Sequence, residues 1–199
     1  NAEALKLGMA LAQKEKADLV AATDPDCDRL GVAVRTASSE MKLLSGNQIG
    51  SLLVWYRAKT FFDRGILNEE NAHRGVVIKT FVTSDLQKVI AEKFGLRCID
   101  TLTGFKYNGA KLNKYEEETA TPKYRELSEE ETRRLRLQKS SFYVFGSEES
   151  YGYSGADFVH DKDGNAAVIM FCEVAAYAKS KGMTLDQLLD EIFREYGYF

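Results

Sequence analysis

A short apolar run that breaks off into acid most constrains this chain. Residues 18–23 read DLVAAT, and residues 23–29 read TDPDCDR. The apolar run predicts a buried parallel strand whose C-terminal end carries a loop. Around it, helical and extended patterns alternate. Ala4, Leu5, Gly8, Leu11 and Ala12 recur at helical spacing within 2–16, residues 30–34 return as a strand, and residues 48–62 place Ile49, Leu52, Leu53 and Tyr56 on one helical face behind a Ser45-Gly46-Asn47 cap.

A polar stretch at 63–74 predicts a boundary, dividing the chain into 1–65 and 66–199. The alternation then restarts. Strands are predicted at 75–81, 96–101 and 142–145. Helices are predicted from a Thr83 or Ser84 cap to Phe94, closed by Gly95, then near 107–117 and over 164–181, closed by Gly182. A last one follows the Thr184-x-x-Gln187 capping box to about Tyr196. Residues 116–139 hold seven acidic and six basic side chains, which read as a solvated insertion or exposed helix. The resulting class is α/β: layered, mixed or mostly parallel sheets with flanking helices.

Composition narrows the function classes. With 199 residues, 44% hydrophobic, 29% charged and two prolines, the chain is neither disordered nor fibrous. No apolar run approaches the ~20 residues of a membrane span. A net charge of -3 offers no basic field for nucleic acid. Cys27, Cys98 and Cys172 are odd in number and widely spaced, which argues against both a disulfide framework and a zinc site and favours a reducing cytoplasm. No signal peptide is evident, and the chain opens on Asn1 instead of Met, as a piece of something longer would.

Two loops carry the candidate chemistry. Asp24, Asp26 and Asp28 alternate, so their carboxylates can converge, and three such groups repel unless a cation joins them. An all-oxygen set favours Mg²⁺ or Ca²⁺. Arg29 beside them offsets charge and can grip a phosphate. An EF-hand fits poorly, since Arg29 and Arg35 fall where its Gly and Glu belong. An aspartyl-phosphate hydrolase and a simple solvated acidic turn stay open. The second loop, 146–163, follows a strand and precedes a helix, where ligands bind in open α/β sheets. Glu148 and Ser150 can hold hydroxyls, His160 and Lys162 add cationic or titratable groups, and Lys106 of the 103–106 loop can share the edge. Each also has a bland reading: surface acids, an Asp-Gly turn, a solvated histidine.

Together these residues resemble the α-D-phosphohexomutase superfamily, the phosphoglucomutase and phosphomannomutase enzymes, and within it the bacterial α-phosphoglucomutases. TDPDCDR at 23–29 is similar to the family's metal loop. TGFK at 103–106 resembles a loop of its third domain. SEES at 147–150 with HDKDG at 160–164 resembles its sugar-binding loop, Ser147 standing where Gly is usual, and LLSGNQIGSLL at 43–53 resembles the end of its second domain. The resemblance implies the C-terminal part of domain two and all of domain three. No stretch resembles the family's serine loop or its phosphate-binding loop, so those domains of the same polypeptide would be partners.

The resemblance further implies phosphoryl transfer between the C1 and C6 oxygens of a hexose, glucose before mannose or pentose, through a phosphoserine and a bisphosphate. Asp24, Asp26 and Asp28 would hold Mg²⁺ and Arg29 would steady a phosphate. Glu148, Ser150, Thr103, Gly104 and Lys106 would bind the hexose phosphate. Lys162 and His160 would lie near the reacting oxygens, Lys162 for proton transfer or charge stabilisation. The metal and sugar loops are expected on different sheets, meeting only across a cleft. A Mg²⁺-dependent phosphatase and a non-catalytic sugar- or ion-binding module are the other classes.

Overall fold

Two sheets and seven helices make up the computed structural model, which describes residues 2–199. The first sheet is an antiparallel meander of β1 (Leu19–Thr23), β2 (Leu30–Arg35) and β3 (Met41–Leu43), behind helix α1 (Ala2–Glu15). Here β1 departs from expectation. It pairs antiparallel with β2, Leu19 opposite Val34 and Thr23 opposite Leu30, and is half-buried throughout. The physical reason is length: six residues separate the strands, whereas a parallel crossover needs a dozen or more.

The second sheet runs β5 (Arg97–Thr101), β4 (Gly75–Thr80), β6 (Phe142–Ser147), β7 (Tyr153–Ser154). The β4–β5 and β4–β6 pairs are parallel and β6–β7 is antiparallel. All six residues of β4 are buried, as a central strand covered on both faces requires. Its side chains alternate. Val76 and Ile78 pack with Leu112 and Tyr115 of α4 (Lys106–Glu118). Val77 joins the main core with Ile49, Leu52 and Leu53 of α2 (Gly46–Asp63) and Ile90 of α3 (Leu86–Lys93). Helix α5 (Glu129–Lys139) lies along β6, while α6 (Gly164–Ser180) and α7 (Leu185–Tyr196) both pack against β2. The main core is continuous from Leu30 and Val32, through α2 and Leu67, to Phe171, Val174 and Ile192.

Local signals explain most helix ends. Ser45 and Gln48 close a capping box, the Ser45 N–H donating to Gln48 Oε1 at 2.9 Å. Gln187 likewise takes the Thr184 N–H at 3.0 Å. Gly95 and Gly182 adopt φ of +72° and +70° just past their helices. For α3 the cap differs from expectation. Asp85 is the capping residue without a side-chain bond, Ser84 Oγ accepts from Leu86 N, and Thr83 Oγ1 is spent on Thr80. No described helix is long and apolar enough to cross a membrane.

Candidate active site

The acidic loop is a compact turn in which the Cys27 N–H donates to the Asp24 carbonyl and Cys27 takes φ of +58°. That turn brings Asp24, Asp26 and Asp28 together, with one carboxylate oxygen of each within 4.8 Å of the others. Asp24 Oδ1 accepts from the backbone N–H groups of Asp28 and Arg29 at 3.2 Å, and Oδ2 accepts from Arg29 Nε at 2.6 Å. Desolvation pushes the Asp24 carboxyl up, but these bonds outweigh it and bring it down to about 2. Asp26 is exposed. Asp28 Oδ2 lies 3.0 Å from Lys162 Nζ, while its buried Oδ1 accepts no hydrogen bond.

That orphaned oxygen, within a three-carboxylate cluster, is what a hard divalent ion takes up, so the residues present fit Mg²⁺. Charge agrees. Asp24, Asp26, Asp28 and the Asp161 paired with Lys162 outnumber Arg29 and Lys162 by two negative charges, which a divalent ion offsets.

Lys162 is shielded by the Phe105 ring, 5.5 Å from its ammonium, and sits between Asp28 and Asp161, the latter at 3.2 Å. Desolvation disfavours its charge, but the two carboxylates prevail and raise its pKa. A lysine so held is a fixed positive charge at neutral pH and a poor base. Glu148 is buried and accepts the Gly104 N–H at 3.0 Å, joining the SEES and TGFK loops. Ser150, Thr103 and Lys106 are exposed around it, Lys106 over the Tyr107 ring. His160 turns its ring to the Asp157 carbonyl, Nε2 at 3.0 Å.

The two loops do belong to different sheets, as expected, but the expectation that they meet only across a cleft is corrected. Arg29 and Gly152 form an antiparallel bridge, and the Leu30 N–H donates to the Tyr151 carbonyl at 3.0 Å. The Gly164 N–H donates to the Cys27 carbonyl at 2.8 Å. A Cβ on Gly164 would stand 2.6 Å from that oxygen, so the final glycine of HDKDG is needed for close approach. The acidic loop and the 146–163 loop are therefore joined through main chain. Sequence reading missed this, and also missed Glu149, whose Oε2 takes the Thr80 hydroxyl at 2.8 Å and so holds its own loop to β4. Its position between Glu148 and Ser150 was the only available signal.

Comparison with known proteins bears on this arrangement. The model of phosphoglucomutase/phosphomannomutase alpha/beta/alpha domain III matches residues 45–196, and that of domain II matches residues 1–37. The chain belongs to the phosphoglucomutase/phosphomannomutase family, within the α-D-phosphohexomutase superfamily. It is 34% identical over 194 residues to a phosphopentomutase of Mus musculus, covering 98% of this chain and 28% of that protein. It is also 34% identical over 189 residues to a phosphoglucomutase of Staphylococcus epidermidis, covering 95% and 29%. In fold it is similar to the crystal structure of a candidate phosphomannomutase from Thermus thermophilus, with a TM-score of 0.69 and 22% identity over 99% of this chain and 35% of that one. The chain thus spans under a third of the curated relatives it matches first.

Proposed function

We propose that this chain forms the metal- and sugar-binding part of a phosphohexomutase that interconverts hexose 1-phosphate and hexose 6-phosphate, glucose being the hexose. The observation that carries the reading is the convergence of three sequence motifs on one site: Lys162 on Asp28, and Glu148 on the Gly104 N–H. Glu148 and Ser150 hold sugar hydroxyls, and Thr103, Gly104 and Lys106 line the same edge. Arg29 spends Nε on Asp24 and is half-exposed, so its Nη donors can grip a phosphate. Lys162 keeps a fixed positive charge beside the transferring group. Asp24, Asp26 and Asp28 hold Mg²⁺, which when bound neutralises phosphoryl oxygens. The rest of the polypeptide, including the phosphoserine, comes from outside this chain.

Against Asp24 as the nucleophile of the phosphatase reading, both its oxygens are already given to Arg29 and the backbone, which leaves Asp26 as that reading's candidate. A pentose phosphate is the second substrate reading, favoured by the equal identity to a phosphopentomutase. Coupled assays on the longer polypeptide, with glucose 1-phosphate, mannose 1-phosphate and ribose 1-phosphate, test the proposal. The highest kcat/KM is expected for glucose 1-phosphate. A preference for the pentose would select the second reading, and no turnover of any would sink both.

A further inference from the structure

The charge-dense segment 116–139 is not wholly solvated. Arg136 of α5 is 1% exposed. Its Nε donates to the Tyr124 hydroxyl at 2.7 Å, its Nη groups reach the Leu112 carbonyl at 3.5 Å, and Nη2 lies 3.2 Å from the Asp157 carboxylate. A second cation, the half-buried Arg57 of α2, donates to the Gly155 carbonyl and, at 3.3 Å, to the Val144 carbonyl. Burying a guanidinium is costly unless its donors are satisfied. Here two of them are spent on the same short stretch, 155–157.

From that stretch the chain leads directly to Lys162. His160 bonds back to the Asp157 carbonyl, and its own carbonyl backs onto Gly109 of α4, where a Cβ would stand 2.6 Å away. At the far end the Asp163 N–H donates to the Tyr153 carbonyl at 2.9 Å, and Gly164 is held by Cys27. The loop is pinned at both ends, and Lys162 reaches Asp28 from within it.

We propose that Arg136, through Asp157, is a positioning residue that sets where the Lys162 ammonium stands against the acidic cluster. The charged segment is then an outer clamp on the site. The kinetic part of this inference rests on the mutase reading; the structural part does not.

The test compares Arg136→Met, Arg136→Lys, Lys162→Met and the double Met variant in the longer polypeptide. Arg136→Met is expected to lower kcat roughly ten- to hundred-fold, as displacement of a positioned group does, with KM for the sugar phosphate unchanged. Arg136→Lys should recover part of the loss. On the Lys162→Met background, Arg136→Met should cost nothing further. Additive losses would overturn the proposal. Hydrogen exchange on the 199-residue chain supplies the independent readout. In Arg136→Met the amides of 157–163 should exchange at least about ten-fold faster while β4 and β6 keep their protection. No change in the loop, or loss of protection across the whole sheet, would also overturn it. If the longer polypeptide turned over no sugar phosphate, exchange would still decide the clamp, so the two failures are distinguishable. Asp157→Asn, which breaks the ion pair from the other side at almost constant volume, repeats both measurements should Arg136→Met fail to fold.

Discussion

Asp24 gives both oxygens to Arg29 and the backbone, whereas Asp28 keeps one buried oxygen that accepts nothing. The two therefore differ under substitution. Asp28→Asn alters an oxygen that accepts no hydrogen bond and has Arg29 Nε near it only at 3.6 Å. Mg²⁺ affinity should fall at least about ten-fold by calorimetry, with little change in melting temperature. Asp24 couples to acid instead. Its folded pKa of about 2 lies below the 3.8 of an ordinary aspartate. Its contribution to stability is thus complete above 3.8 and is lost as pH falls through about 2. Melting curves between those limits should slope less with pH in Asp24→Asn than in the parent. An equal slope would mean that Arg29 does not hold this carboxylate in solution. Glu148→Gln keeps an oxygen for the Gly104 N–H but removes the charge that the proposed function assigns to a sugar hydroxyl. We expect kcat/KM of the longer polypeptide to drop roughly ten- to hundred-fold, the worth of a hydrogen bond to a charged group. Mg²⁺ affinity should stay as it was, and a matching loss of it would mean that Glu148 serves the metal.

At the scale of elements, the start of α6 is where packing and site meet. Gly164 opens that helix under the Asp163 side chain, which takes the Ala166 N–H at 2.9 Å. Gly164→Ala pushes a methyl into the Cys27 and Arg29 carbonyls. About 1–3 kcal/mol of stability should be lost, as for other overpacked sites, together with Mg²⁺ affinity. Denaturant unfolding with parallel calorimetry checks both, and unaltered metal binding would show that the contact only packs. Elements also differ in how legible they were. Helix α7 could be read directly because Thr184 with Gln187 is a signal three residues apart, and α2 because a Ser45-Gly46-Asn47 cap precedes its apolar face. The direction of β1 was misread because its apolar run suits either sheet type, and only the brevity of the connection to β2 tells them apart. Strand β7 is two residues inside a polar loop and has no periodicity to read. Arg136 looked like one more charge in a charged run, since Tyr124, Leu112 and Asp157 meet it only in three dimensions. Of the site, the clustering of Asp24, Asp26 and Asp28 was visible in their alternation. The joining of Arg29 to Gly152 was not, because no local pattern encodes a pairing between positions so far apart in the chain.

Across the whole molecule, one core passes beneath both sheets, so the chain should unfold in a single step. Trp55 of α2 packs edge-on against Tyr177 of α6, ring centroids 5.5 Å apart, and reports on that shared core. Its fluorescence and the far-ultraviolet circular dichroism should follow one urea curve, whereas two midpoints would mean that the meander and the parallel sheet melt apart. The bridge from Arg29 to Gly152 and the bond from Gly164 to Cys27 carry a consequence for recombination. A chimera that takes residues 1–37 from a relative imports one half of a main-chain seam, so the partner half at 151–164 must travel with it. Crossovers that respect the seam should give soluble hybrids, and those that split it should not, however well the separate pieces match.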